Sequence, residues 1–151
     1  MKVYAGIDPG KKGVLSLIFE DGTTQSVPFD RDAYRARLTW LSENGYDIFC
    51  VLERVGAMPG QGTVSMFSFG EGYGWLQGVL ETLRIPYELV TPQKWKKAFS
   101  VTSDKNTSIQ VAKRLFPNAQ LLRTPRSRVD DDGVAESLLL ALYAKRLDRK
   151  E

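Results

Sequence analysis

The chain has 151 residues, 42% of them hydrophobic and 26% charged, with a formal net charge of +3 at pH 7. That length fits one ordinary domain and leaves little room for a second independent core, and no stretch approaches the ~20 apolar residues of a membrane span. Histidine is absent and cysteine occurs once, which excludes a catalytic triad or a histidine general base and leaves zinc without its usual ligands.

In chain order, MKVYAGIDPG carries one lysine and then an aspartate with no apolar signal core, so the N-terminus reads as unprocessed and cytoplasmic. Residues 3–8 read as a first strand, closed by the turn Pro9-Gly10-Lys11-Lys12-Gly13. Residues 14–19 and 23–29 are expected as two further strands joined by a hairpin at Asp21-Gly22, a pair whose backbone suits the hairpin twist. Residues 30–44 predict a helix with Gly45 placed to end it. Residues 47–53 read as a strand covered on both faces, because Ile48 to Leu52 is continuously apolar. Cys50 lies inside that run and reads as a small core residue rather than a reactive thiol.

A loop over 54–61 leads into a helical region reaching about residue 84. Within it Phe69, Tyr73, Leu76 and Leu80 recur at helical spacing and are expected in the core. Gly70, Gly72, Gly74 and Gly78 match neither a P-loop nor a dinucleotide fingerprint, and read as permitting close helix packing, within the chain or between subunits. Residues 86–90 predict another strand, 92–99 and 103–116 two helices, 121–128 a basic loop, and 131–147 a last helix. The pattern is an α/β fold with a mixed five-stranded sheet and helices on both faces.

Charge is not spread evenly along this order. Residues 91–128 hold nine Lys/Arg against the single acid Asp104, a local charge of +8. A block of this kind suits a polyanion, although solvated helix faces also carry lysines.

Three places put acids where an ordinary core would not want them. Asp8 ends the apolar strand of GIDPG, and Glu53 ends the apolar strand IFCVLE. Ligand sites of open α/β sheets lie just beyond strand carboxyl ends, and Asp8 joins Glu53 there if its strand lies beside that of Glu53. The third is DDDGVAESLLLALYAKRL, in which Asp132 and Glu136 share one helix face. Their stripe continues into Leu139, Leu140 and Tyr143, so the first turn is expected to abut the sheet, with Gly133 allowing close approach. Capping by Asp130, Asp131 or Asp132 accounts for one aspartate, worth ~1 kcal/mol, but not for Glu136. If the acids converge, two magnesium ions roughly 4 Å apart would relieve their repulsion and create an arrangement suited to phosphodiester cleavage, with manganese as a substitute.

GIDPG, a strand ending in LE, SMFSFGEGYGWLQGVLETL, VTPQKWKK and the late D-G-V-A-E together resemble the RuvC-type Holliday junction resolvases of the RNase H-like superfamily. The likeness is nearest to the phage and chloroplast-type branch and covers nearly the whole chain. It implies that the family's four metal-binding acids fall on Asp8, Glu53, Asp132 and Glu136. The bacterial enzyme's last pair is Asp/Asp spaced three apart; here it is Asp/Glu spaced four, as in the chloroplast-like branch, and Asp131 is kept as a reserve ligand. Lys105 matches the family's lysine near the start of the penultimate helix, neutralising the scissile phosphate, although a solvated lysine fits the charge pattern equally well. The resemblance further implies a homodimer that nicks opposed strands of four-way DNA junctions. In such an enzyme Met58, Met66, Phe67, Phe69, Tyr73 or Trp75 would wedge into the unstacked crossover. Rival readings are an RNase H-like nuclease acting on RNA–DNA hybrid or ribosomal RNA precursor, a fragment of an actin-like ATPase or sugar kinase, and a non-catalytic junction-binding scaffold.

Overall fold

A computed structural model describes residues 1–56 and 60–149. Five strands form one sheet in the order β3-β2-β1-β4-β5: β1 (Lys2–Asp8), β2 (Val14–Phe19), β3 (Thr24–Pro28), β4 (Asp47–Glu53) and β5 (Tyr87–Val90). The β1–β2 and β2–β3 pairs are antiparallel, whereas β1–β4 and β4–β5 are parallel. Five helices accompany the sheet: α1 (Arg31–Glu43), α2 (Thr63–Thr82), α3 (Pro92–Ala98), α4 (Lys105–Leu115) and α5 (Asp132–Arg149). This is the mixed α/β layering expected from the sequence.

Local chemistry sets most element ends. Asp30 caps α1 by accepting from the Ala33 amide at 2.8 Å, and Gly45, at φ +82°, follows its end. The Asp21 carboxylate takes both the amide and the hydroxyl of Thr23, so β3 begins one residue later than its apolar pattern suggests. Asp104 caps α4 through the Asn106 amide, which moves that helix start from 103 to Lys105. The last helix runs about half a turn further than expected, to Arg149.

Strand alternation divides the interior in two. On one face Val3, Ala5, Ile7, Leu15, Leu17, Ile48, Cys50 and Leu52 pack against Tyr34, Leu38 and Leu41 of α1 and Leu76 and Leu80 of α2. Burying each such leucine contributes roughly 1.5–3 kcal/mol. On the other face Tyr4, Ile18, Val51 and Val90 meet Trp95 and Phe99 with Leu139, Leu140, Ala141 and Ala144 of α5. Gly6 is what lets α5 lie directly on the sheet: a Cβ there would stand 2.2 Å from the Ala141 amide nitrogen and 2.3 Å from the Ser137 carbonyl oxygen. A buried serine chain, Ser26–Ser16–Ser137, links β3, β2 and α5 on this side at 2.8 and 2.6 Å.

Of the two settings expected for the glycines of α2, close packing within the chain does not occur. A Cβ added at Gly70, Gly72, Gly74 or Gly78 would meet nothing within 4 Å, so they mediate no close packing inside the chain. Phe69 also departs from the core expectation. It stacks on Tyr73 with ring centroids 6.1 Å apart and lines a pocket of roughly 300 Å³ with Gly10, Phe29 and Arg31. Phe67 is fully on the surface at 76% exposure, and Met58 lies outside the described residues. Among the described residues, no helix is long and apolar enough to cross a membrane.

Candidate functional site

The parallel β1–β4 ladder ends with Ile7 opposite Leu52, so Asp8 and Glu53 leave adjacent strand ends side by side. Ile7 and Leu52 belong to the α1/α2 core, and alternation therefore sends Asp8 and Glu53 toward the α5 face. The first turn of α5 meets them there. Asp131 caps that helix, its Oδ1 accepting the Val134 amide at 3.1 Å, and is ion-paired to Arg123 at 3.6 Å. Asp131, kept in reserve as a ligand, is thus engaged as a cap. Gly133 fits against Val14 and the Lys12 carbonyl, where a Cβ would be 3.4 and 3.5 Å away. The helix start is consequently drawn against the turn that follows Asp8, leaving Asp132 and Glu136 on one face.

The four acids interact through their charges. Burial, and then the charges of Glu53, Glu136 and Asp132, push the Asp8 carboxyl up to about 8, while Lys105 works in the opposite sense. Glu136 is pushed up to about 7, first by burial and then by Glu53, with Lys96 opposing and Asp132 adding to the rise. Glu53, only 7% exposed, is raised by burial and partly restored by a hydrogen bond from Trp95 and by Lys96. Lys105 opens α4, is solvent-exposed, and brings Nζ to 3.3 Å from Asp132 Oδ2. Its pKa rises, chiefly because it donates a hydrogen bond to Asp132. All five site residues chosen from the sequence thus belong to one electrostatic neighbourhood.

Two partners of this site were not chosen from the sequence. Trp95 of α3, fully buried, donates Nε1–H to Glu53 Oε2 at 2.7 Å. Ser108 of α4 donates to Glu136 Oε2 at 3.5 Å, a long contact. Trp95 lies in VTPQKWKK, a segment that carries the family resemblance, but nothing in the sequence directs it to Glu53, and nothing singles out Ser108.

Lys105, Lys113 and Arg123 of the basic block lie at the same end of the sheet. Arg123 donates to the Lys12 and Gly13 carbonyls at 2.9 and 3.3 Å, tying the 121–128 loop to the turn after Asp8. Lys113 pairs with Asp130 at 2.7 Å, just ahead of α5. Lys94, Lys97, Arg126 and Arg128 are exposed.

The donor set for a cofactor is four carboxylates. With no histidine in the chain and Cys50 buried in the opposite core, it suits a hard divalent cation bound by oxygen. Among the described residues, no three such side chains already stand in a cluster that would hold a metal ion. The four acids are coupled through their charges without forming such a cluster.

No protein-family model matches the chain, and no curated protein matches it. Solved structures do. The chain is similar to Thermus thermophilus RuvC with a TM-score of 0.66 and 16% identity, covering 98% of this chain and 96% of that one. It is likewise similar to T. thermophilus RuvC in complex with Holliday junction substrate, with a TM-score of 0.67 and 15% identity over 99% and 96% of the two chains. The chain has a RuvC-like fold.

Proposed function

From a RuvC-like fold carrying a convergent acid site, we propose that this protein is a structure-selective endodeoxyribonuclease that resolves four-way DNA junctions by paired, divalent-metal-dependent nicks. One observation carries the reading: four acids from three separate elements, Asp8, Glu53, Asp132 and Glu136, gather at the carboxyl ends of β1 and β4 within a basic surround. The similar T. thermophilus protein in complex with Holliday junction substrate supports the choice of branched DNA.

Asp8, Glu53, Asp132 and Glu136 would hold magnesium, or manganese in its place, with two ions the expected number. When bound, such ions supply water activation and charge stabilisation for in-line phosphodiester cleavage. The chain's own contribution is orientation. Asp132 is fixed by Lys105, Glu53 by Trp95, and the helix bearing Glu136 by the Asp131 cap. Lys105, on the exposed side of Asp132, is the cation available to the scissile phosphate. Exposed Lys94, Lys97, Arg126 and Arg128 bind backbone phosphates, which makes affinity steeply dependent on salt. A two-fold junction calls for two matching cuts, and a homodimer supplies them.

The test is cleavage of synthetic four-way, three-way and linear DNA, and of an RNA–DNA hybrid, with magnesium, comparing wild type and Asp132→Asn. Paired nicks near the crossover by wild type, with binding but no cutting by the variant, are expected. Equal cutting by both proteins overturns the site. Equal cutting of linear duplex, or preference for the hybrid, overturns junction selectivity.

A further inference from the structure

Glu53 is gripped from two sides. Its backbone carbonyl accepts the Tyr73 hydroxyl of α2 at 3.0 Å, while its Oε2 accepts the Trp95 indole N–H of α3 at 2.7 Å. Trp95 is 0% exposed, set among Val51, Val90, Phe99 and Leu139 in the α5-side core. Its helix is aimed by a Thr91 cap, whose Oγ1 accepts the Lys94 amide at 3.3 Å, followed by Pro92 in the first turn.

Beyond filling this core, the indole carries one polar group, a donor that cannot act as an acceptor. A neutral donor directed at a carboxylate makes a short, charge-assisted hydrogen bond with a fixed direction. We propose that Trp95 is a positioning residue for Glu53: by binding Oε2 it fixes the carboxylate and leaves Oε1 as the oxygen offered to a divalent cation. The inference rests on the reading of these acids as a divalent-cation site. It assigns Trp95 an orienting role toward that cation, of the kind outer groups play around metal ligands.

The experiment uses the full chain and magnesium chloride alone, without DNA. The three tryptophans, Trp40, Trp75 and Trp95, give three indole N–H resonances, each assigned by its loss in the corresponding Phe variant. On titrating wild type with magnesium, the Trp95 resonance moves, while that of Trp40, half exposed at the opposite end of the sheet beside Tyr46, stays in place. In Trp95→Phe the magnesium affinity, read from backbone amides of Ile7 and Val134, falls on the order of 10–100-fold. Junction affinity in EDTA stays within about two-fold, on the expectation that phosphate contacts carry it. Trp40→Phe leaves the magnesium affinity unchanged.

A folded Trp95→Phe that binds magnesium as wild type does overturns the orienting role and leaves the nuclease reading standing. If wild type binds no magnesium, both fall together. If Trp95→Phe does not fold, the wild-type titration decides: a Trp95 indole resonance that ignores saturating magnesium, while the Ile7 and Val134 amides respond, overturns the inference.

Discussion

The two faces of the sheet are built from the same strands and perform opposite tasks. Odd positions of β1 and even positions of β4 (Val3, Ala5 and Ile7; Ile48, Cys50 and Leu52) enter an apolar core with α1 and α2. The intervening positions, Tyr4, Gly6 and Asp8 with Phe49, Val51 and Glu53, face α5, where the apolar packing gives way to acids at the strand ends. The difference shows how a site is made from a core: one face stays apolar to its end and bears stability, while the other gives its last position to a charge. The α5 face can do so because Gly6 brings the helix down onto the sheet, which delivers Asp132 and Glu136 to Asp8 and Glu53.

The largest test of this division is chemical. Asp132→Asn or Glu136→Gln should lower junction cleavage at least 100-fold, the scale of losing a transition-state contact, with junction affinity in EDTA changed by less than about two-fold. If binding is lost in proportion to cutting, the acids act on the fold rather than on the reaction. On the opposite face, Leu41→Ala, which empties a fully buried position, should cost about 2–5 kcal/mol by urea denaturation. The fraction that remains folded should still cut at the wild-type rate. Gly6→Ala, whose Cβ would stand 2.2 Å from the backbone of α5, should force that helix off the sheet, destabilise at least as much as Leu41→Ala and, unlike it, reduce cleavage by the folded protein. Were the two variants to lose activity in step with stability alone, the distinction between the faces would collapse.

The crowding of the acids also makes stability depend on pH. Asp8 rises to about 8 from 3.8 and Glu136 to about 7 from 4.5. Each folded-state pKa lies above its unfolded value, so the folded protein holds more protons through this interval, and stability falls as pH rises. In EDTA the thermal midpoint should therefore drop between about pH 5 and pH 8, and Asp8→Asn should flatten the slope, gaining at most a few kcal/mol at pH 8. Added magnesium should reverse the trend, because it replaces the protons. A metal-free midpoint that rises over this range would contradict the crowding of the acids. The smallest effect concerns the outer surface. Removing one exposed cation, as in Arg128→Ala, should weaken binding to every DNA shape alike and lower the salt slope by about 1.

Much of this was readable without coordinates, and for a physical reason. Alternation in GIDPG and IFCVLE, the Asp21-Gly22 hairpin and the Asp30 and Gly45 helix ends are short-range effects, and the strands and helices follow from them to within a residue or two. Asp8, Glu53, Asp132 and Glu136 stand out in the sequence because acids bordering apolar runs conflict with simple burial, whereas Lys105 enters only through the family resemblance. Phe69 falls outside the core, and the glycines of α2 pack against nothing within the chain, because spacing reports which residues share a face, not whether anything in the chain covers that face.

The sequence by itself determined the elements, the carboxylate donor set and the concentration of positive charge over residues 91–128, since composition and local periodicity carry those. Tertiary structure alone decided that β1 lies beside β4 and that an indole from a distant helix holds Glu53. Those outcomes depend on strand order and on which helix reaches a given strand end, and contacts between residues forty or more positions apart leave no periodic trace in the chain.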